Sequence, residues 1–169
     1  PSRRERPRAG RREARGVQVD RRRALLRRAG HGTRARPVPV GVDPAVEDTV
    51  ADIGRHMRSG SLSALKPGEF GIVLGAELAR ALGLRTGDSV VVIVPQGNVT
   101  AAGTLPRLKT FRLVGVFEIG MFEFDNGLAL IHVDDARRLY RVDGVSGVRL
   151  KLDDLFAAPA VARQLVAAM

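Results

Sequence analysis

The 169-residue chain contains no cysteine and no tryptophan, and aromatic residues make up only 4% of it. The absence of cysteine excludes a disulfide scaffold and a thiolate metal site, although it does not identify the compartment in which the protein works. With so few aromatic residues, the core has to be built from Leu, Val, Ile and Ala. A hydrophobic content of 44% and a charged content of 27% are typical of one globular domain, or of two small ones.

The sequence also lacks a long apolar run. Its longest uncharged stretch, residues 89–106, includes Pro95, Gln96, Gly97 and Asn98, which a transmembrane helix of about 20 apolar residues would not carry together. No signal-peptide pattern is visible either. We expect the chain to be a fragment of a longer protein, and these absences therefore do not assign it to the cytosol.

Positive charge is concentrated at one end of the chain. Residues 1–36 contain 14 arginines against three acidic residues, a net charge of +11, whereas residues 37–169 contain 14 basic and 15 acidic residues, a net charge of −1. Large apolar residues are sparse in residues 1–36, so we expect a mostly disordered arm outside the domain core. Three interpretations of this arm stay open: a nucleic-acid-binding segment, a solvated tail, and an out-of-frame translation of a GC-rich gene. The arm lacks the aromatic side chains on which bases stack, which argues against nucleic acid.

Residues 37–169 predict one folded domain in which short strands and short helices alternate. The helices are too short for large crossovers, and this favours a small mixed α/β (α+β) sheet over a doubly wound fold. The predicted strands are PVPVGV, FGIVLG, SVVVIV, FRLVGVFE, GLALIHV and VSGVRLKL. We expect Asp43 to cap a helix whose pattern continues irregularly to Ser59-Gly60, Gly83 to close a second helix, and Asp134 to cap a third. A last helix is predicted over residues 158–169.

The residues that could support catalysis do not form a recognisable set. The three histidines are isolated from one another and from any cysteine, which predicts no metal site: His31, His56 and His132. Glu118, Glu123 and Asp125 lie close together, but a turn between strands explains them better than acid–base chemistry. We therefore predict that the chain is not an enzyme and that it binds no cofactor.

The glycine-rich stretch GEFGIVLG has neither the spacing nor the Lys-Ser/Thr of a phosphate-binding loop. We expect Gly71, Gly75 and Gly87 to serve turns and close packing instead.

The connection between two of the predicted strands is unusually long. Tight hairpins use two to five residues, whereas Pro95–Leu108 is a long, nearly uncharged segment. We predict that Gln96–Leu108 forms a protruding hairpin whose arms, at roughly 3.3 Å per residue, reach about 20 Å from the domain. Pro95 and Pro106 lack an amide hydrogen and should limit pairing near its base.

This hairpin is the predicted binding site for a partner. Small residues keep its tip slim, Leu105 can supply an apolar contact, and Arg107 and Lys109 can pair with acidic groups on the partner. The alternative is a flexible surface loop without a partner. The candidate binding residues are Thr100, Ala101, Ala102, Gly103, Thr104, Leu105, Pro106, Arg107 and Lys109.

From about Gly41 to Met169 a series of segments is found in a specific order and spacing. They include GVDPAVE, KPGEFGIVLGAELARALGL, GDSVVVIVP, GTLPRLKTFRLVGVFEIGMFEFDNGLALIHVDDARRLY and VSGVRLKLDD. In these segments the chain resembles the periplasmic domain of the lipoprotein-releasing ABC transporter permeases LolC and LolE, which belong to a wider MacB-like group. In that family, apolar strands usually precede the GVDP segment, where this chain has Arg-rich sequence.

The resemblance implies a non-catalytic permease subunit of the inner membrane of a Gram-negative bacterium, with this domain in the periplasm and the transmembrane helices missing on both sides. The implied partners are a LolA-like lipoprotein carrier, a LolD-like ATPase subunit, a second permease subunit and the lipoprotein cargo. In LolC, a hairpin at this place hooks the carrier, and TAAGTLPRLKTF matches that segment in its Gly, Pro, basic and Phe positions. LolC and LolE differ in this contact. A MacB-like exporter of another cargo is the alternative, and the cargo and the oligomeric state stay open.

Overall fold

The computed structural model describes residues 16–18, 24–30, 34–100 and 103–167. Within these residues the chain is a mixed α/β fold. The strands are β1 (Gly16–Gln18), β2 (Leu25–Arg28), β3 (Arg34–Ala35), β4 (Val38–Val42), β5 (Met57–Gly60), β6 (Gly71–Gly75), β7 (Ser89–Thr100), β8 (Gly103–Phe117), β9 (Leu128–His132) and β10 (Gly147–Arg149). The α-helices are α1 (Pro44–Ala51), α2 (Ala76–Ala81), α3 (Phe122–Gly127), α4 (Val133–Tyr140) and α5 (Ala158–Ala167). Short 3-10 helices cover Ile53–His56, Leu62–Ala64 and Leu155–Ala157.

The main sheet is mixed and has the strand order β3-β2-β7-β8-β6-β9-β4, with β5 paired to the end of β8. The β6–β8 and β4–β9 pairs are parallel, and the other pairs are antiparallel. A separate two-stranded sheet joins β1 to β10. This architecture confirms the predicted small mixed sheet with short helices.

Strand β6 lies inside the sheet and is buried on both faces. Its neighbouring side chains point to opposite sides, so Ile72 and Leu74 enter one apolar cluster whereas Val73 enters another. Helices α2 and α4 pack on the first cluster, and the segment that includes Ile53 and Leu62 packs on the second. Burial on both faces explains why this strand is uniformly apolar in sequence.

Helix α1 begins where the sequence predicted. Asp43 Oδ1 accepts a hydrogen bond from Ala45 N at 3.0 Å, and Pro44 occupies the first helical position. The predicted continuation to Ser59-Gly60 is wrong, because α1 ends at Ala51 and a 3-10 turn leads into β5. The physical reason is the pairing of residues 57–60 with β8, a contact that local propensity does not report.

Helix α4 has a different cap from the predicted one. His132 is the N-cap residue, and its Nδ1 accepts a hydrogen bond from Asp134 N at 3.2 Å. Asp134 lies in the first turn, where its Oδ1 accepts a hydrogen bond from Arg137 Nη1 at 3.0 Å. The predicted end of α2 is confirmed, since Gly83 follows the helix with φ +63°.

The expectation that residues 1–36 stand outside the core is wrong for residues 24–28. Strand β2 pairs with β7, and the side chains of Ala24 and Leu26 are 1% and 0% exposed. Arg28, on the same strand, reaches the surface, where its Nη1 donates to Gly83 O at 2.8 Å. Two buried apolar residues thus anchor this Arg-containing strand to the sheet. Most of the predicted arm, residues 1–15, 19–23 and 31–33, lies outside the described residues.

Strand β10 and Lys151, which follows it, form ion pairs with helix α1 and its C-cap residue. Arg149 Nη2 binds Glu47 Oε1, and the Glu47 side chain is 0% exposed. Lys151 Nζ lies 3.4 Å from Asp52 Oδ2 at the end of the same helix. None of the described helices is long and apolar enough to span a membrane.

Candidate partner-binding site at the β7–β8 hairpin

Strands β7 and β8 form a long antiparallel hairpin that extends past the rest of the sheet. Strand β2 pairs with β7 only as far as Ile93, and the pairs Asn98–Leu105, Val99–Thr104 and Thr100–Gly103 follow further out. The six steps from Val94 to Thr100, at about 3.4 Å each, amount to roughly 20 Å of two-stranded ribbon. The predicted protruding hairpin is therefore confirmed.

The two prolines interrupt the ladder where the ribbon leaves the sheet. Pairing stops after Val94–Arg107 and resumes at Asn98–Leu105, so that residues 95–97 of β7 face Pro106 of β8. A proline has no amide hydrogen to donate to a ladder, which explains the gap. The outer three rungs are thus separated from the body of the sheet by a bulge.

The candidate residues of the hairpin fall into three groups. Thr100, Gly103, Thr104 and Leu105 supply backbone to its outer rungs. Ala101 and Ala102 lie outside the described residues. The other three, Pro106, Arg107 and Lys109, form the base of the hairpin on β8.

Arg107 and Lys109 contact the body of the domain as well as the surface. Arg107 is half-buried, and its Nη1 donates to the carbonyl oxygen of Tyr140 at 3.3 Å, at the end of α4. Lys109 is exposed, and its Nζ lies 3.7 Å from the centre of the Phe70 ring. The two cations therefore also fix the hairpin base against neighbouring elements, which the sequence did not reveal.

A cavity of about 320 Å³ lies between the hairpin base and α4, and we call it the basic pocket. Three apolar and four cationic side chains line it: Phe70, Leu108, Leu139, Arg107, Lys109, Arg138 and Arg141. The part of the lining that the structure describes includes no acidic residue. Five of these residues are not among the predicted binding residues, because they come together only in the tertiary structure: Phe70, Leu108, Arg138, Leu139 and Arg141.

The turn before β6 fixes Phe70 in this pocket. Phe70 has φ +52°, a left-handed conformation that is rare for an aromatic residue. Its backbone N donates to Asp135 Oδ2 at 3.1 Å, and Gly68 N donates to Asp135 Oδ1 at 2.8 Å. The Phe70 ring meets the Phe111 ring edge to face, with their centres 5.5 Å apart. A buried carboxylate and an aromatic contact thus hold the strained turn in place.

Asp125, Glu118 and Gly75 have structural roles, as predicted. Asp125 is 3% exposed and accepts hydrogen bonds from Ile119 N and Gly120 N at 2.9 and 3.0 Å, which closes the turn before α3. Gly75 packs against the backbone of α3, so that an added Cβ would lie 2.7 Å from Asp125 Cα. Glu118 is paired with Arg58 at 2.6 Å.

Among the described residues, no group of three or more His, Asp or Glu side chains is placed to hold a metal ion. The described residues instead form a surface suited to binding another molecule. It consists of a projecting ribbon, the basic pocket at its base, and the exposed Leu108 between them.

The chain is similar to periplasmic domains of membrane transport proteins. The family model of the MacB-like periplasmic core domain matches residues 6–168. The lipoprotein-releasing system transmembrane protein LolC of Neisseria meningitidis is 48% identical over 146 residues, which are 85% of this chain and 34% of that protein. LolC of Xylella fastidiosa (strain 9a5c) is 46% identical over 135 residues, 79% of this chain and 33% of that protein. This chain thus spans about a third of the length of these curated relatives.

Solved structures show the same fold at low sequence identity. The periplasmic region of MacB from Actinobacillus actinomycetemcomitans has a TM-score of 0.55 and 11% identity, and covers 91% of this chain and 65% of that one. The extracellular domain of the ABC-type transporter YknZ from Gram-positive bacteria has a TM-score of 0.54 and 12% identity, and the match covers 86% of this chain and 68% of that one. Together with the family model, these matches confirm the predicted resemblance: this chain belongs to the family of MacB-like periplasmic core domains.

Proposed function

We propose that this chain is the periplasmic domain of a LolC-type permease in the inner membrane of a Gram-negative bacterium. In this role it takes part in releasing lipoproteins from that membrane and passing them to a soluble LolA-like carrier. The subunit itself is non-catalytic, and a separate LolD-like subunit hydrolyses ATP. A second permease subunit and the lipoprotein cargo complete the set of partners.

The β7–β8 hairpin is the part of the domain that binds the carrier. The backbone of Thr100, Gly103, Thr104 and Leu105 forms its outer rungs, and Ala101 and Ala102 follow Thr100 in the sequence. A ribbon of roughly 20 Å is long enough to enter a cavity in a partner rather than only touch its surface. Pro106, Arg107 and Lys109 at its base meet the rim of that cavity, where Lys109 is exposed and positively charged.

The main support for this proposal is the projecting β7–β8 ribbon, found in a chain that is similar to LolC. An unpaired edge of this length invites aggregation unless something limits its pairing. Here the bulge between Val94 and Asn98 and the two prolines limit it. A projecting ribbon whose edge pairing is limited in this way is suited to binding a partner.

The test is capture of the cognate LolA-like carrier by the 169-residue chain in a pull-down. Deleting Thr100–Leu105 should abolish capture. The deletion keeps the Val94–Arg107 pair, and residues 95–99 together with Pro106 then form the loop that connects the two strands. The circular dichroism spectrum and the melting temperature should therefore not change. Reversal of charge at Lys109 and Arg107 should weaken capture without abolishing it.

Reversal of charge at Arg55, an exposed arginine outside the hairpin, is the matched control and should leave capture unchanged. Because Arg107 also binds the Tyr140 carbonyl, its variant requires a melting curve before its effect on capture is interpreted. Undiminished capture after the deletion would refute the assignment of the hairpin as the carrier-binding element.

A further inference from the structure

Helix α3 and the turn before it expose three large apolar side chains within four consecutive residues. Met121, Phe122 and Phe124 are 52%, 68% and 45% exposed, and we call them the α3 patch. A Phe side chain has about 150–250 Å² to bury, so three half-covered side chains of this size present roughly 300 Å² of apolar surface. An apolar surface of this size on a folded domain is often a binding site.

A buried carboxylate holds the α3 patch in place. The two oxygens of Asp125 accept hydrogen bonds from the backbone N atoms of Ile119 and Gly120, at 2.9 and 3.0 Å. The backbone N of Asp125 in turn donates to the carbonyl oxygen of Met121 at 2.9 Å. The turn that presents the patch is therefore fixed before anything binds to it, which lowers the conformational entropy that a contact would cost.

The α3 patch and the tip of the β7–β8 hairpin lie at opposite ends of the domain. Strand β8 runs from Gly103 at the tip to Phe117, and the turn that leads into α3 follows directly. The 15 residues of this strand, at about 3.4 Å each, amount to roughly 50 Å. A partner that encloses the tip of the hairpin is therefore far from the α3 patch.

Strand β10 runs toward the same end of the domain as α3. Helix α1 leads into the 3-10 turn that ends at His56, whose carbonyl oxygen accepts a hydrogen bond from Glu118 N at 2.9 Å, just before α3. Arg149 binds the middle of α1, and Lys151, further along the chain, binds the C-cap residue Asp52. The chain thus follows α1 toward α3 and away from the hairpin tip.

We propose that the α3 patch rests on the lipid surface of the membrane to which the whole protein belongs, with its Phe side chains at the boundary between headgroups and acyl chains. Phe side chains on a surface element are suited to this boundary. The inference rests on the proposed function, in which the hairpin points away from the membrane toward a soluble carrier. It adds a second contact at the opposite end, which fixes the orientation of the domain on the bilayer.

The size and charge of the α3 patch favour a lipid surface over a separate protein. A stable protein–protein interface buries about 800 Å² on each partner, well above the area of this patch. A domain already linked to a membrane needs less, because the linkage gives the contact a high effective concentration. Glu118 is paired with Arg58, and the exposed Glu123 points about 100° away from its neighbours on the helix. We therefore expect an apolar contact that salt does not screen.

The test uses a fluorophore at a single introduced Cys, because the chain contains no other cysteine. The 169-residue chain carries NBD at Glu123→Cys and is tethered by a C-terminal His tag to vesicles of phosphatidylethanolamine and phosphatidylglycerol with a nickel-chelating lipid. We expect its emission to rise about twofold and shift to the blue, relative to the same chain released with imidazole. High NaCl should leave this rise unchanged. The same label at Asp143→Cys, an exposed position just after α4, should not respond.

Substitutions within the α3 patch provide the second part of the test. Met121→Ser, Phe122→Ser and Phe124→Ser together should abolish the rise at position 123, and Phe122→Ser alone should reduce it to about half, because less apolar area meets the lipid. Leu108→Ser with Val145→Ser, which removes two exposed apolar side chains outside the patch, should leave the rise unchanged. Melting curves check the fold, and the single Phe122 variant decides the result if the triple variant is unfolded.

The outcomes separate this inference from the proposed function. A label at position 123 that responds no more than the label at position 143, or a folded triple variant that keeps the rise, refutes the membrane contact. A dimer in light scattering that the triple variant loses would assign the patch to a second copy of the chain and overturn the inference, and loss of carrier capture in this variant would assign it to the carrier. If the parent chain responds on vesicles but does not capture the carrier, the proposed role of the hairpin fails and the membrane contact stands.

Discussion

Substitution of Leu26 by Ala tests whether the Arg-rich end of the chain is part of the fold. The Leu26 side chain is 0% exposed and belongs to the cluster that α2 and α4 cover, and its backbone is paired with Val92. Truncation of a fully buried Leu to Ala costs about 2–5 kcal/mol, the sum of lost transfer free energy and the cavity that remains. For a domain of this size each kcal/mol lowers the melting temperature by about 2–4 °C. A loss of about 3 kcal/mol therefore predicts a decrease of about 6–12 °C.

The neighbouring residue on the same strand is a matched control. Leu25 is only partly buried, and successive side chains of a strand face opposite sides of a sheet. Leu25→Ala should therefore cost about 1 kcal/mol or less. The assay is urea unfolding followed by circular dichroism, with the free energy of unfolding extrapolated to water for both variants.

Truncation of the chain to begin at Val38 extends the same test. It removes β2 and β3 and leaves β7 without a neighbour on one side, so the melting temperature should fall by several degrees or more. Equal free energies of unfolding for the Leu25 and Leu26 variants, together with an unchanged melting temperature after truncation, would refute the reasoning. Residues 24–28 would then have no energetic role in the sheet.

Two further predictions concern packing and a buried ion pair. Gly75→Ala should lower the free energy of unfolding by about 2 kcal/mol or more, because the new Cβ meets the Asp125 backbone. Gly144→Ala has open space around its new Cβ and should change stability by less than about 0.5 kcal/mol in the same denaturation assay. Arg149→Met should cost about 2 kcal/mol, since it leaves Glu47 buried without its partner. That is less than the roughly 3–5 kcal/mol for a fully buried pair, because Arg149 is partly exposed. An unchanged unfolding curve for Arg149→Met would show that water reaches Glu47.

The sequence predicted those elements whose signals are local. Asp43 and Pro44 mark the start of α1 through side-chain chemistry within three residues of one another, and the structure has the helix start there. Pro95 and Pro106, which lack an amide hydrogen, likewise predicted that pairing is limited near the base of the hairpin. In both cases the residues on which the prediction was based are the same residues that determine the local structure.

The sequence did not predict elements that depend on distant partners. Strand β2 was not predicted, because the Arg-rich composition of residues 1–36 gives no sign of its two buried side chains, Ala24 and Leu26. Strand β5 exists through its pairing with β8, some sixty residues away. The basic pocket combines residues from the turn before β6, from β8, and from α4 and its C-cap. The N-cap of α4 is His132 rather than the predicted Asp134. Such features follow from the tertiary arrangement and have no signature in a single window of sequence.

The strand order has a consequence for how the domain folds. The hairpin β7–β8 joins strands that are adjacent in sequence, and it lies in the interior of the main sheet. The outer strand β4, in contrast, pairs with β9 across about ninety residues of intervening chain. Since closing long loops is slow compared with forming a hairpin, we expect the inner part of β7–β8 to form early and β4 to join late. Changes at the hairpin base would therefore slow folding, whereas the outer rungs past Pro95 and Pro106 can vary to suit a partner without affecting the folding rate.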